Sequence, residues 1–164
     1  MRSSLTGKRG AEATEEDRIP FDLIELLFFA YRDFVGDPDR ILETYGFGRA
    51  HHRVLYFVHR NPGLTIAALL EILKITKQSL NRVLKELIEQ GYIESSAGRT
   101  DRRQRLLFPT AKGTSLAQDL VRLQATRIRR ALAESGPETE AAAARFLEAM
   151  IDPESRPQAS DGPR

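Results

Sequence analysis

Apolar residues recur at helical spacing along most of this chain. The densest run is Phe21 to Val35 (FDLIELLFFAYRDFV), where Phe21, Leu23, Ile24, Leu26, Leu27, Phe28, Phe29, Tyr31, Phe34 and Val35 wrap most of a helix circumference. A helix apolar nearly all round must be covered nearly all round. A chain of 164 residues can hardly supply that cover alone, so a partner subunit is the economical expectation. Gly36-Asp37-Pro38 should end the helix, and Ile41 to Gly46 reads as a short connector. Gly48 to Arg60 predicts a second helix with Ala50, Val54, Leu55, Phe57 and Val58 inward, stopped by Asn61-Pro62-Gly63.

The next stretch carries two short helices in close succession. Thr65 is placed to cap the first, with Ile66, Leu69, Leu70 and Leu73 at core spacing. Lys74-Ile75 turns the chain, and Thr76 caps a helix from Lys77 to Gln90 whose apolar stripe is Leu80, Val83, Leu84, Leu87 and Ile88. Gly91 suits the position just past a helix end. Two short helices joined so tightly are a helix-turn-helix signature. Tyr92 to Glu94 then reads as a strand, Ser95 to Gln104 as a loop and Arg105 to Phe108 as the returning strand. A long helix follows from Pro109-Thr110 to about Glu134, with Leu116, Leu120, Leu123, Ile128 and Leu132 on one side. Pro137 is placed for the first position of a last helix, whose apolar face is Phe146, Leu147, Met150 and Ile151. The expected fold class is mainly α with a small β-hairpin.

Charge changes this picture more than composition does. The formal net charge is only +2, but Lys74 to Arg105 holds eight Lys/Arg against four Asp/Glu, and Leu106 to Ala133 five against one. From Glu134 onward three basic residues face seven acidic ones. A basic middle beside an acidic end has the form of a nucleic-acid footprint, although a solvated surface also gives mild asymmetry. The chain has no cysteine, which excludes disulfides, thiolate metal sites and sensing through its own thiols. Met1 to Pro20 has no apolar core of the signal-peptide kind, and no apolar run approaches the ~20 residues of a membrane span, so a soluble cytoplasmic protein is expected.

The helix from Lys77 to Gln90 has the two properties that reading a DNA major groove requires: a buried stripe that fixes its angle and a polar side free to reach bases. Thr76, Gln78 and Ser79 offer hydroxyl or amide groups near its start. Asn81 is suited to adenine, Arg82 to guanine, and Lys77 and Lys85 to phosphates. An amphipathic surface helix would look similar. The hairpin decides between them: SSAGRTDRRQRLLF crowds Arg99, Arg102, Arg103 and Arg105 around one acid, Asp101. Such crowding is costly without an anionic partner, and an arginine at a hairpin tip suits the narrow minor groove. Asp101 is expected to orient one arginine through a paired hydrogen bond. A reading helix followed by a basic hairpin is a winged helix-turn-helix. A protein-interaction module and a nonspecific architectural DNA binder are the alternatives.

The run from Phe47 (FGRAHHRVLYFV), through ITKQSLNRVLKELIEQGYIE, to TDRRQRLLFPTAKG resembles the MarR family of bacterial regulators. Its most specific pieces are the Leu87-x-x-x-Gly91 helix end, Asp101-x-Arg103, and Pro109-Thr110-Ala111-Lys112-Gly113, with Pro where the family has Leu. The wording of Gly46 to His59 and Thr76 to Gln90 also resembles the smaller PetP-like subgroup. The resemblance implies that Asp101 braces the wing while Arg103 enters the minor groove. It further implies that the terminal helices form a symmetric dimer on a pseudo-palindromic site, and that a small ligand relieves repression. Phe47-Gly48 and His51-His52 replace the Leu-Thr and Gln-Trp usual at the second helix, beside the family's ligand cleft, so any effector here should differ from the phenolic ligands of relatives.

His51 and His52 are therefore the candidate ligand-cleft residues. A metal site built from histidines alone is disfavoured. His51 and His52 diverge by about 100° on a helix, and His52 and His59 lie ~10.5 Å apart along it. A site borrowing Glu or Asp from another helix stays open. No cofactor is expected. No Gly-x-Ser-x-Gly, phosphate loop or cysteine nucleophile is present, so catalysis is not expected. The expected organisation is a disordered arm at 1–20, one domain at 21–151 with its winged helix-turn-helix at about 47–109 and dimerisation helices at about 21–35 and 110–151, and a disordered tail at 152–164.

Overall fold

The first helix does not stop where its glycine and proline suggest. In the computed structural model, which describes residues 19–98 and 101–156, α1 spans Phe21–Glu43 and carries Gly36-Asp37-Pro38 inside it. Proline's φ already suits a helix, and the loss is one hydrogen bond to the Phe34 carbonyl. That cost is offset by burial of Val35, Pro38 and Leu42 and by Asp37, which pairs with Arg40 at one oxygen and with Arg127 at the other, the latter at 2.7 Å. The expected connector at Ile41 is thus the last turn of α1.

Packing divides the chain into two compact units, one ending at Asp33 and one beginning at Phe34. In the first, the helix from Phe21 presents Phe21, Leu23, Leu26, Phe28 and Phe29 to solvent, with Phe28 69% exposed. Arg32 pairs with Asp33 at 2.9 Å and lies over the Phe29 ring.

The second unit is built around α2 (Arg49–Arg60), which packs against the helices α3 (Ile66–Leu73), α4 (Lys77–Glu89) and α5 (Ala111–Ser135). Val54, Leu55 and Val58 form its buried side, while Ala50 and Phe57 are half-buried. Three antiparallel strands complete the unit: β2 (Ile93–Ala97), β3 (Arg105–Pro109) and a two-residue strand β1 (Leu64–Thr65), in the order β1-β3-β2. Ser95 pairs with Leu107 and Ala97 with Arg105, so the strands run further into the hairpin than a loop from Ser95 to Gln104 would allow. β1 has no counterpart in the sequence pattern; two residues carry no alternation to recognise, and they form only because β3 offers an open edge.

One close approach joins the hairpin base to α5. Gly113, in the first turn of α5, lies so near the chain before β2 that a Cβ on it would sit 1.9 Å from the Tyr92 carbonyl oxygen. Thr110 caps α5 by accepting the Gly113 N–H at 3.0 Å, and its own hydroxyl donates to the Gly91 carbonyl at 2.7 Å. Lys112 donates to the Gln90 carbonyl at 2.9 Å and stands over the Tyr92 ring. This is the physical content of the Pro-Thr-Ala-Lys-Gly run.

Burial along α5 ends at Leu120; Leu123 and Leu132 are half-buried and Ile128 is exposed, so the single apolar side expected there divides in two. The last helix, α6, spans Thr139–Met150 and begins two residues after Pro137, with Glu138 rather than Pro137 at its start. None of its residues is buried, and Phe146, Leu147 and Met150 are exposed. Pro153–Ser155 forms a 3-10 turn. The rest of the expected arm and tail, and Arg99, lie outside the described residues.

Because the obstacle at Gly113 is backbone, it cannot swing aside. Gly113→Ala is expected to destabilise the fold by about 2 kcal/mol, the scale of overpacking in a tight site. A melting temperature equal to that of the unsubstituted protein would refute the reading.

Candidate nucleic-acid interface

The turn before α4 is set by Lys74, the one non-glycine described residue with positive φ (49°), whose N–H bonds to the Leu70 carbonyl. Arg53 of α2 donates to the Leu73 carbonyl at 3.0 Å, satisfying another free carbonyl of α3 and fixing this turn to the core. α4 then starts because Thr76 accepts the Ser79 N–H at 3.1 Å. The Thr76 hydroxyl donates to Ser79 Oγ at 3.0 Å, so the Ser79 proton is the one left to face outward.

Leu80, Val83, Leu84 and Leu87 are buried, and Thr76, Lys77, Gln78, Ser79, Asn81, Arg82 and Lys85 are all exposed, as the spacing requires; Ile88, expected in the buried stripe, is exposed in the last turn. Arg82 approaches Glu86 at 3.7 Å and Lys85 approaches Glu89 at 3.8 Å. Lys85 and Glu89 are both exposed, and such a pair is worth only about 0.3–0.5 kcal/mol, so Lys85 can exchange it for a phosphate; Glu86 is half-buried, so Arg82 can keep this partner on one edge and offer the other. α4 ends at Glu89, with Gln90 as its cap and Gly91 at φ 76°.

The hairpin projects beyond this helix. Its tip closes through Gly98 N–H to the Gln104 carbonyl at 3.0 Å and Gln104 N–H to the Asp101 carbonyl at 3.1 Å. A Cβ on Gly98 would meet the Asp101 carbonyl oxygen at 2.7 Å, which is why the tip can fold so tightly there. The Asp101 carboxylate accepts the Arg103 backbone N–H at 2.9 Å. It thus braces the loop main chain, in place of the expected bond to an arginine side chain; an Asx turn puts the carboxylate within reach of its own backbone first. Arg102, Arg103 and Arg105 are exposed, and none has an ion pair among the described residues.

The two candidate cleft histidines are both buried. His51 is held at each ring nitrogen: Nδ1 accepts the Gly48 N–H at 3.1 Å, and Nε2 lies 2.7 Å from Glu86 Oε2 on α4. Since Nδ1 accepts, Nε2 carries the proton and donates. The ring stacks on Phe47 at 4.6 Å, and Phe47 meets Tyr92 edge-on. The His52 N–H donates to the Gly48 carbonyl at 3.1 Å, and its imidazole has no hydrogen-bond partner among the described residues. Burial pushes its pKa below the ordinary 6.5, with the charge of nearby Asp39 opposing. Asp39 binds Arg49 at 2.8 Å through one oxygen, and its other oxygen is buried without a hydrogen bond. A cavity of about 640 Å³ opens further along α2, beside Tyr56, Phe57, Arg60 and Ile72; neither His51 nor His52 lines it. The described residues hold no cluster of three or more potential metal ligands.

A sequence profile of the MarR family matches residues 45–104, which takes in α2, α3, α4, β2 and the wing tip. The chain is 50% identical over 133 residues to the HTH-type transcriptional regulator PetP of Rhodobacter capsulatus, covering 81% of this chain and 80% of that one. The chain belongs to the MarR family. Among solved structures, Streptococcus pneumoniae FabT in complex with DNA superposes with a TM-score of 0.70 at 18% identity, over 79% of this chain and 93% of FabT. A MarR protein from Peptoclostridium difficile gives 0.67 at 18% identity, covering 91% and 92%. These likenesses place the fold as that of a MarR-type winged helix. As a member of this family the protein is a helix-turn-helix transcriptional regulator and not an enzyme.

For this MarR-family regulator, three residues at the interface lie beyond what the sequence pattern reveals. Glu86 sits on the polar side of α4, and nothing in a string places it beside His51, 35 positions away. Arg53 and Lys112 act on main-chain carbonyls, which leave no trace in side-chain pattern; for Lys112 the family-like Pro-Thr-Ala-Lys-Gly run was the available signal.

His52 yields a pH dependence whose sign follows from its lowered pKa. As pH falls below 6.5, the unfolded chain takes up a proton that the folded protein refuses, so stability is lost until the folded value is passed and rises as pH increases through that window. The melting temperature should therefore fall between about pH 7.5 and 5.5. His52→Asn should remove part of that slope; equal slopes in the two proteins would count against it.

Proposed function

We propose that this MarR-family regulator acts as a homodimer on a pseudo-palindromic operator, with α4 in the major groove and the wing in the adjoining minor groove. The observation that carries the reading is the exposed Arg102, Arg103 and Arg105 of the wing, which have no ion pair among the described residues, together with the exposed polar side of α4. Lys77, Lys85, Arg102 and Arg105 contact phosphates. Gln78, Ser79, Asn81 and Arg82 read bases, and Arg103 enters the minor groove over a loop braced by Asp101. Arg99, outside the described residues, is assigned to the phosphates on its sequence position. FabT, whose fold this chain shares, was solved in complex with DNA, which supports a DNA-binding reading.

Pairing rests on the apolar side chains exposed along Phe21 to Tyr31 and on α6, which a second copy would cover. The domain is read as a reading head at about 47–109 flanked by dimerisation helices at about 21–35 and 110–151. No helix among the described residues is long and apolar enough to cross a membrane, in keeping with work in the cytoplasm. Repression relieved by a small ligand follows the family's usual pattern. His51 is committed to Gly48 and Glu86, which leaves His52 as the cleft residue able to respond.

On these assignments Arg103→Ala weakens all sites, whereas Arg82→Ala relaxes choice at particular bases. Removing one phosphate-binding side chain should lower the log–log salt slope by ~0.9. A gel shift in which affinity barely changes with salt would rule the phosphate assignments out. Phe28→Asp should convert the dimer to a monomer in sedimentation and abolish operator binding; an undisturbed dimer would remove this face from the interface. Small molecules that release the operator should lose potency against His52→Ala, with operator affinity retained, and an unchanged response excludes His52 from the cleft.

A further inference from the structure

Glu86 is an odd residue to find on a helix that approaches DNA, since an unrestrained carboxylate there would repel phosphates. Here it is restrained from the core side. Its Oε2 accepts the His51 Nε2 proton at 2.7 Å, and its Oε1 lies 3.7 Å from Arg82 Nη1 one helical turn back. His51 cannot rotate away without losing the Gly48 N–H that its Nδ1 accepts and its stack on Phe47. The side chain of Glu86 is 34% exposed against 69% for Arg82, so the carboxylate is anchored and the guanidinium is free at its outer edge.

We propose that His51 and Glu86 are positioning residues for base recognition, a relay in which the start of α2 fixes the carboxylate and the carboxylate aims Arg82. This rests on the reading of Arg82 as a base contact. A guanidinium has a long, flexible stem, and a partner that holds it from one side lowers the rotamer freedom given up when it docks. The same tie turns the negative charge of Glu86 towards the protein, so a change at His51 acts on DNA choice without His51 touching DNA.

The test uses full-length protein, the best duplex selected from a random-sequence pool, and the single-base variants of that duplex. Glu86→Gln keeps a carbonyl for His51 and removes the charge that aims Arg82. It should lower discrimination about ten-fold, the scale of one bidentate base pairing, at the base position that Arg82→Ala relaxes. Affinity for non-preferred duplexes should rise, since a carboxylate near phosphates is gone. The double variant should lose nothing more at that position, because the two changes interrupt one interaction. His51→Phe, which retains the stack on Phe47, should relax the same position; if it fails to fold, Glu86→Gln decides alone. A merely structural pair would lower stability and leave the base profile intact, so full discrimination in Glu86→Gln overturns the proposal. If Arg82→Ala relaxes no position, the base-contact reading falls and the relay falls with it.

Discussion

The reading head is held in place by main-chain contact between the end of α4 and the start of α5. Gly91 and Tyr92 leave α4, and their carbonyls, with that of Gln90, are met by Thr110 and Lys112 as α5 begins. Gly113 allows the two segments to come within a distance that any side chain would forbid. Backbone groups left unmet in such a place would each cost roughly 1–3 kcal/mol, so the junction is either complete or absent. Its consequence is mechanical. The angle of α4 and the base of the wing are both referred to the first turn of α5, so a displacement of that helix moves groove-reading helix and wing together.

Two kinds of electrostatics meet on that rigid base. Away from the outward side of α4 and the wing, charged groups are tied in place: Glu86 accepts the His51 N–H, Arg49 pairs with Asp39 and Arg127 with Asp37. On that outward side charge is left open, with loose pairs at Arg82 and Lys85 and no ion pair among the described residues for Arg102, Arg103 or Arg105. The protein forgoes little by leaving these cations unmatched in water, and a polyanion gains them at once. Asp101 fits the same logic: its carboxylate accepts a loop backbone N–H and forms no ion pair among the described residues.

Much of this was legible in the string. The caps Thr65, Thr76 and Thr110, the stripe Leu80-Val83-Leu84-Leu87 and the turn at Gly91 are local features, each decided within four or five residues. The exposed polar residues of α4 were legible because burying one side of a short helix necessarily exposes the other. Errors arose where a local rule met a distant partner. Gly36-Asp37-Pro38 reads as a stop, yet α1 passes through it, because burial of Val35, Pro38 and Leu42 and the pairing of Asp37 with Arg127 outweigh the missing bond. His51 and His52, adjacent and alike in the string, take unrelated roles, one locked at both ring nitrogens and the other with a buried ring that has no hydrogen bond among the described residues.

The sequence by itself determined the helices of the reading head, the basic hairpin and the family, since these follow from short-range periodicity, capping and motif. Only the tertiary structure decided what His51 and Glu86 do to each other, why Gly113 must be glycine, and that a strand of two residues closes the sheet. Those depend on groups 21 to 43 positions apart meeting within about 3 Å, a distance at which one hydrogen bond or one missing methyl group sets the outcome. A one-dimensional pattern says which side of a helix is covered; only packing says by which atoms.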